Sequence, residues 1–180
     1  HYAPVDLGGR CEIMPGSPLA GLDSAGGSAF ASRMARDRKT ESFAIITDRP
    51  VPARVEALSG FRTIENPALM RLLDWGTVDW TPDGKRRFAL VYERPGGRRV
   101  MNDLSDVREP FSDDLITRTL MPNLLYVLRE MNARGLTCGA IRPNNLFYKD
   151  TVSSAVMLGD CLSTPTGYAQ PVLMETIERA

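Results

Sequence analysis

The chain is poor in the residues that most often build chemistry. It has a single histidine, His1, and three cysteines, Cys11, Cys138 and Cys161. One histidine leaves no basis for a histidine metal centre or acid–base pair. The cysteines form no C-x-x-C pair and their number is odd, which argues against a disulfide framework or a zinc site and predicts a reducing, cytoplasmic setting. No apolar run approaches the roughly 20 residues that cross a bilayer, and no secretory signal is visible. Charge of either sign is not in excess: 22 Lys and Arg balance 22 Asp and Glu. A nucleic-acid footprint is therefore not expected. The clusters Lys85-Arg86-Arg87 and Arg98-Arg99 read as solvated turns.

What is there is an ordinary globular composition, 43% hydrophobic and 24% charged over 180 residues, enough for one sizeable core. Residues 1–17 read as an extended lead-in. The small-residue turn Ser24–Ser28 is followed by a strand at 29–34, a polar turn, and a buried strand at 42–47. A short helix is expected from Ala53 to Leu58, ended by Gly60. Strands at 69–76 and 87–93 follow, joined by the turn Thr81–Lys85. A weakly patterned strand ahead of the small-residue turn would make five. The second half opens on a helix with Ser112 as N-cap, and Ile116, Leu120, Leu124, Leu128 and Met131 recur at helical spacing. Pro122 is expected to kink it, and Arg134-Gly135 to end it. Short strands at 145–148 and 155–158 close the pattern.

The segment Cys138-Gly139-Ala140-Ile141-Arg142-Pro143-Asn144-Asn145-Leu146 resembles the protein-kinase catalytic loop, H-R-D-L-x-x-x-N. On that frame Ala140 stands in the slot of the catalytic Asp and Asn145 keeps the place of a magnesium ligand. Phe43-Ala44-Ile45-Ile46 resembles V-A-I-K with Ile46 in the lysine slot. Leu158-Gly159-Asp160-Cys161-Leu162 resembles the D-F-G region with its Asp kept as Asp160. Val91-Tyr92-Glu93-Arg94-Pro95 is similar to the kinase hinge, whose backbone binds adenine in that family. Gly21–Phe30 has glycines where the Gly-rich loop would be, at the wrong spacing. Pro171 matches A-P-E, but Val172 replaces its Glu.

The resemblance is to the protein-kinase-like superfamily, in a degenerate, bacterial-type pseudokinase form. It implies an α+β fold with an antiparallel five-stranded small lobe carrying one short helix (residues 18–95), then a partial helical large lobe (96–180). No catalytic group is expected, because alanine at 140 cannot accept a proton and isoleucine at 46 cannot pair a phosphate. Glu93 and Arg94 are the candidate nucleotide-binding positions, and Asn145 with Asp160 the candidate metal ligands. No cofactor is expected, with weak ATP and magnesium binding left open. The expected function is a regulatory or scaffolding module that binds a protein partner. The alternatives are an atypical ATP- and magnesium-dependent phosphotransferase and an α+β interaction domain unrelated to kinases. A large lobe of this family buries the helix that carries Ile116, Leu120, Leu124 and Leu128. An uncovered stripe there would be an interface, so a homodimer through that helix is a further expectation.

Overall fold

The computed structural model of the 180-residue chain describes residues 2–50, 54–101, 118, 120–138, 141–152 and 155–164. Among them, six strands form one antiparallel sheet: β1 (Val5–Leu7), β2 (Cys11–Pro18), β3 (Gly27–Met34), β4 (Ser42–Thr47), β5 (Leu72–Trp80) and β6 (Lys85–Glu93), in the order β1-β2-β3-β4-β6-β5. A short helix α1 (Leu58–Arg62) lies between β4 and β5 in the chain. After the sheet come helix α2 (Met121–Ala133) and the hairpin β7 (Leu146–Tyr148) and β8 (Val156–Leu158).

The sheet has one strand more than the five expected, and the lead-in is part of it. Val5-Asp6-Leu7 and Cys11-Glu12-Ile13 alternate apolar with polar and pair in register. Gly8 and Gly9, at φ +58° and +72°, supply the left-handed turn between them. The outermost strands then meet, because the sheet curls until β1 contacts β5. Arg10 in the turn donates to the buried Asp74 of β5 at 2.7 Å, and Leu7 lies over Gly76, which has no side chain to obstruct it.

This curl gives the sheet two cores. Val5, Leu7, Ile13, Ala44, Ile46, Val78, Trp80 and Val91 fill one face, with the Phe30 ring edge-on to Trp80 at 4.8 Å. Phe43, Ile45, Leu90 and Tyr92 face the other way, against α1, α2 and the β7–β8 hairpin. Strand β4 is buried at every residue because both of its faces are covered.

Three local expectations change. The turn of helix before β5 begins as a 3₁₀ turn at Val55–Ala57 and becomes α1 only at Leu58, with Gly60 inside it. Burial of Leu58 and Phe61 outweighs the glycine penalty there. Pro122 falls at the start of α2 rather than in its middle, and Arg118 and Leu120 lie in π-helical turns ahead of it, where the missing proline N–H fits a break in the regular ladder. Ser112 and Ile116 lie outside the described residues. Leu120 and Leu124 are 1% and 2% exposed, packed with Val127 and Met131 into the main core, and Leu128 is partly buried against it. The expected homodimer stripe is therefore corrected at these positions: the chain's own core takes them. Leu125 and Tyr126 are the exposed apolar residues of α2.

The hairpin that carries the candidate site is pinned between two segments. On one edge Met70 N–H donates to Leu158 C=O and Leu158 N–H to Ala68 C=O, both at 2.8 Å. On the other edge Val100 N–H donates to Leu146 C=O and Tyr148 N–H to Arg98 C=O. These bonds hold β7 and β8 between the segment before β5 and the segment after β6.

Candidate functional site

The site lies where the β2–β3 turn meets the residues after β8. Asp160 is its centre, a carboxylate only 4% exposed. Its Oδ1 accepts the Tyr92 hydroxyl and the Leu162 N–H, the latter at 2.9 Å. Its Oδ2 accepts the Ser24 hydroxyl at 2.8 Å and the Ser163 hydroxyl. The Ser163 N–H reaches both oxygens at 3.3 Å. A buried carboxylate needs such donors to offset its lost hydration, and here they come from three separate parts of the chain.

The β2–β3 turn is docked onto this centre. Ser24 Oγ also lies 2.7 Å from Ser163 Oγ; with both hydroxyl protons on Asp160, this is a close approach of two oxygens gathered on one carboxylate rather than a further bond. Gly26 lies so close to Ser163 that a Cβ would collide with its carbonyl oxygen, so only glycine lets the turn approach. Asp23 is exposed, but its carboxylate accepts the Ala29 N–H at 2.7 Å and holds its own turn.

Arg99 closes the same cleft from the side. Its guanidinium donates to the carbonyls of Gly21 (3.3 Å), Asp23 and Asn144, and lies over the Phe147 ring at 4.7 Å. One side chain thus ties the β2–β3 turn to the loop before β7. Burial pulls its basicity down, with the Asp23 charge acting against that. The solvated-turn reading holds for Arg98, which is exposed, and fails for Arg99. What remains between Ser24, Asn144, Asn145, Asp160 and Arg99 is a cavity of about 30 Å³. Nucleotide-sized sites run to several hundred. Outside Arg99 an open groove of about 1050 Å³ runs past Leu22, Arg94, Gly97 and Tyr148.

The positions expected from the sequence fall as follows. Ala140, Pro171 and Val172 lie outside the described residues. Ile46 points into the core away from α1, while Ile45 points toward it. A strand alternates faces, so on β4 Phe43 and Ile45 take the side of α1, α2 and the β7–β8 hairpin, and neither carries a charge. Glu93 and Arg94 are exposed, but their amides are engaged, Glu93 N–H to Arg71 C=O and Arg94 N–H to Glu41 C=O, both 2.9 Å. Asn145 and Asp160 are brought together: the Asn145 side-chain amide donates to the Asp160 carbonyl at 2.9 Å, and Gly159 N–H to the Asn145 carbonyl at 2.8 Å. As a metal pair they fit poorly, because the Asp160 oxygens already receive five donor groups from the protein and no cluster of three metal-ligating side chains occurs among the described residues. Sequence reasoning missed Tyr92, Ser24, Ser163 and Arg99 as partners of the centre. All lie far from Asp160 in sequence or read as loop residues, and only tertiary contact joins them.

The buried hydroxyl and thiol groups predict an alkaline limit. Burial first, then the Asp160 charge, pushes the Tyr92 phenol well above its ordinary range. Burial first, then contact with Cys138, does the same to the Cys161 thiol. The folded chain therefore keeps protons that the unfolded chain loses. Stability is fully present below about pH 9, where an unfolded cysteine begins to ionise, and falls above it. The expected slope is up to about 1.4 kcal/mol per pH unit for each such group. Thermal melts from pH 7 to 11 check this; a midpoint that stays level through pH 11 contradicts it.

No protein-family model matches this chain, and no curated protein does. Solved structures do. The kinase domain of Mycobacterium tuberculosis PknI superposes with a TM-score of 0.65 at 13% identity, over 83% of this chain and 59% of that one. A doubly substituted form of the same PknI domain gives 0.67 at 13% identity, over 90% and 60%. Rad53 residues 1–466, in complex with AMP-PNP, gives 0.63 at 15% identity, over 93% of this chain and 42% of that one. The chain thus spans about three fifths or less of the proteins it superposes on. It has a protein-kinase-like fold, a small-lobe sheet followed by part of a large lobe.

Proposed function

We propose that this chain is a kinase-like module that does not transfer phosphate and acts by binding a protein partner in a regulatory or scaffolding role. The observation that carries this reading is the closure of the cleft by the chain's own groups. Asp160 is held by Tyr92, Ser24 and Ser163, and Arg99 bolts the β2–β3 turn to the loop before β7. Phosphoryl transfer rests on positioning and charge stabilisation, and the residues at the two decisive slots, Ala140 and Ile45 or Ile46, offer neither. The kinase-like fold weighs against the reading of an α+β domain unrelated to kinases. One observation favours the rival phosphotransferase: Asn145 and Asp160 are side by side.

Thermal denaturation with ATP and Mg²⁺ or Mn²⁺ separates the two. A ligand at 100 times its dissociation constant adds about 2.7 kcal/mol. The proposal expects no shift at millimolar nucleotide and no phosphate incorporated from labelled ATP. A metal-dependent rise with turnover overturns it.

A further inference from the structure

Arg54 is the only buried cation among the described residues, 5% exposed. Its guanidinium donates to the Cys161 carbonyl at 3.1 Å and to the Thr137 hydroxyl at 3.2 Å, and lies over the Phe61 ring. Both acceptors are neutral. Among the described residues no carboxylate pairs with it, and its buried Nε meets no acceptor. A buried charge is costly unless an opposite charge or a full set of hydrogen bonds compensates it, and a guanidinium has five N–H groups to place. Arg10, far less buried, has Asp74 for a partner. The other side of the Arg54 contact is open. Thr137 is exposed, in irregular backbone just after α2, and Arg134 three residues earlier is exposed as well. An accessible hydroxyl thus touches an enclosed cation that lacks an anion.

We propose that Thr137 is a phosphoacceptor and that Arg54 receives its phosphate. A separate protein kinase holds the ATP. The Thr137 hydroxyl oxygen attacks the γ-phosphorus, and a new O–P bond forms. The bond from that phosphorus to the β–γ bridging oxygen breaks, ADP leaves, and the hydroxyl proton passes to the base of that kinase. The product carries three acceptor oxygens and close to two negative charges, one bond from an oxygen that already lies 3.2 Å from Arg54 Nη2. A charged acceptor then replaces a neutral one, and charge-assisted bonds from guanidinium to phosphate are the strong kind. The exposure of Thr137 leaves the solvent side free for the added group, and Arg134 offers the modifying kinase a basic residue ahead of the acceptor. The phosphate would fasten the loop after α2 to the segment that leads into α1. The inference stands apart from the closed cleft, because neither Arg54 nor Thr137 lines it.

The test uses the whole chain. Folded protein is incubated with ATP and a serine/threonine kinase that selects arginine three residues before its acceptor, and the product is mapped by peptide mass. Phosphate is expected on Thr137, with several-fold less in the variant Arg134→Ala. Urea denaturation then compares the two forms. Phosphorylation is expected to raise the folding equilibrium constant about tenfold, the yield of one hydrogen bond to a charged group, and the gain to vanish in Arg54→Gln. Should Arg54→Gln not fold, Arg54→Lys, which keeps the charge without the planar fork, is expected to lose most of the gain. Millimolar inorganic phosphate is expected to leave the unmodified chain unchanged. No phosphate on Thr137, phosphate there without a gain, a gain that survives the loss of the Arg54 guanidinium, or an equal gain from inorganic phosphate each overturn the proposal.

Discussion

Asp160→Ala is expected to destabilise the chain by about 3 kcal/mol or more, one of the largest effects available outside the apolar cores. The substitution removes the acceptor of three hydroxyl donors, Tyr92, Ser24 and Ser163, and of the Leu162 and Ser163 amides. Each buried donor left without an acceptor costs about 1–3 kcal/mol. The Ser24 bond also fastens the β2–β3 turn, so the turn loses its anchor with the carboxylate. Urea denaturation measures the effect, with a lower midpoint and an unchanged slope. In a chain of this size the melting midpoint falls by roughly 10 °C. Tyr92→Phe is expected to cost about 1–2 kcal/mol alone and less on the Asp160→Ala background, because the two share one bond. The competing role, a carboxylate kept for a metal, predicts the opposite sign, since removing an under-satisfied charge relieves repulsion. A neutral or stabilising Asp160→Ala overturns the closed-cleft account.

Leu7→Ala is the second large effect, expected at about 2–5 kcal/mol. Leu7 is 1% exposed and lies where β1 meets β5 over Gly76. Truncating it opens a cavity at the seam of the curled sheet. The Arg10–Asp74 bridge crosses the same seam and cannot compensate, because Arg10 is about half exposed and such pairs are weak. Chemical denaturation of the variant checks the value. A loss below about 0.5 kcal/mol, the range of ordinary surface changes, returns residues 1–10 to the role of a passive lead-in and contradicts the two-core description.

The small lobe was legible where one periodicity ran unbroken. Ser42–Thr47 reads as a buried strand and is one, paired on both edges. The β5–β6 hairpin shows in its Pro-Asp-Gly turn, with strand ends shifted by a few residues. Strand β2 was hidden by Pro15, Gly16 and Pro18, and its pairing with β3 does break in register between Ile13 and Pro18. Motif alignment puts Ile46 in the lysine slot by counting positions, and counting does not record which face of the strand a residue takes. Only the packing of Phe43 and Ile45 against α1, and of Ala44 and Ile46 away from it, fixes which face that is. At Leu120, Leu124, Leu128 and Met131 the apolar stripe of α2 is the stripe read from the sequence; its cover was not legible, because the residues of α1, β7 and β8 that share its core belong to other parts of the chain.

The sequence by itself determined the kinase-like order of elements and the absence of an ionisable side chain at positions 45 and 46. Local patterns and short motifs carry these, since each depends on residues within one turn or one strand. The tertiary structure alone decided that Asp160 is enclosed by Ser24, Tyr92 and Ser163. It also decided that Arg99 is a clasp between the β2–β3 turn and the loop before β7. Hydrogen bonds reach only about 3 Å, so which polar groups meet is settled by how the cores pack, and no spacing along the chain records it.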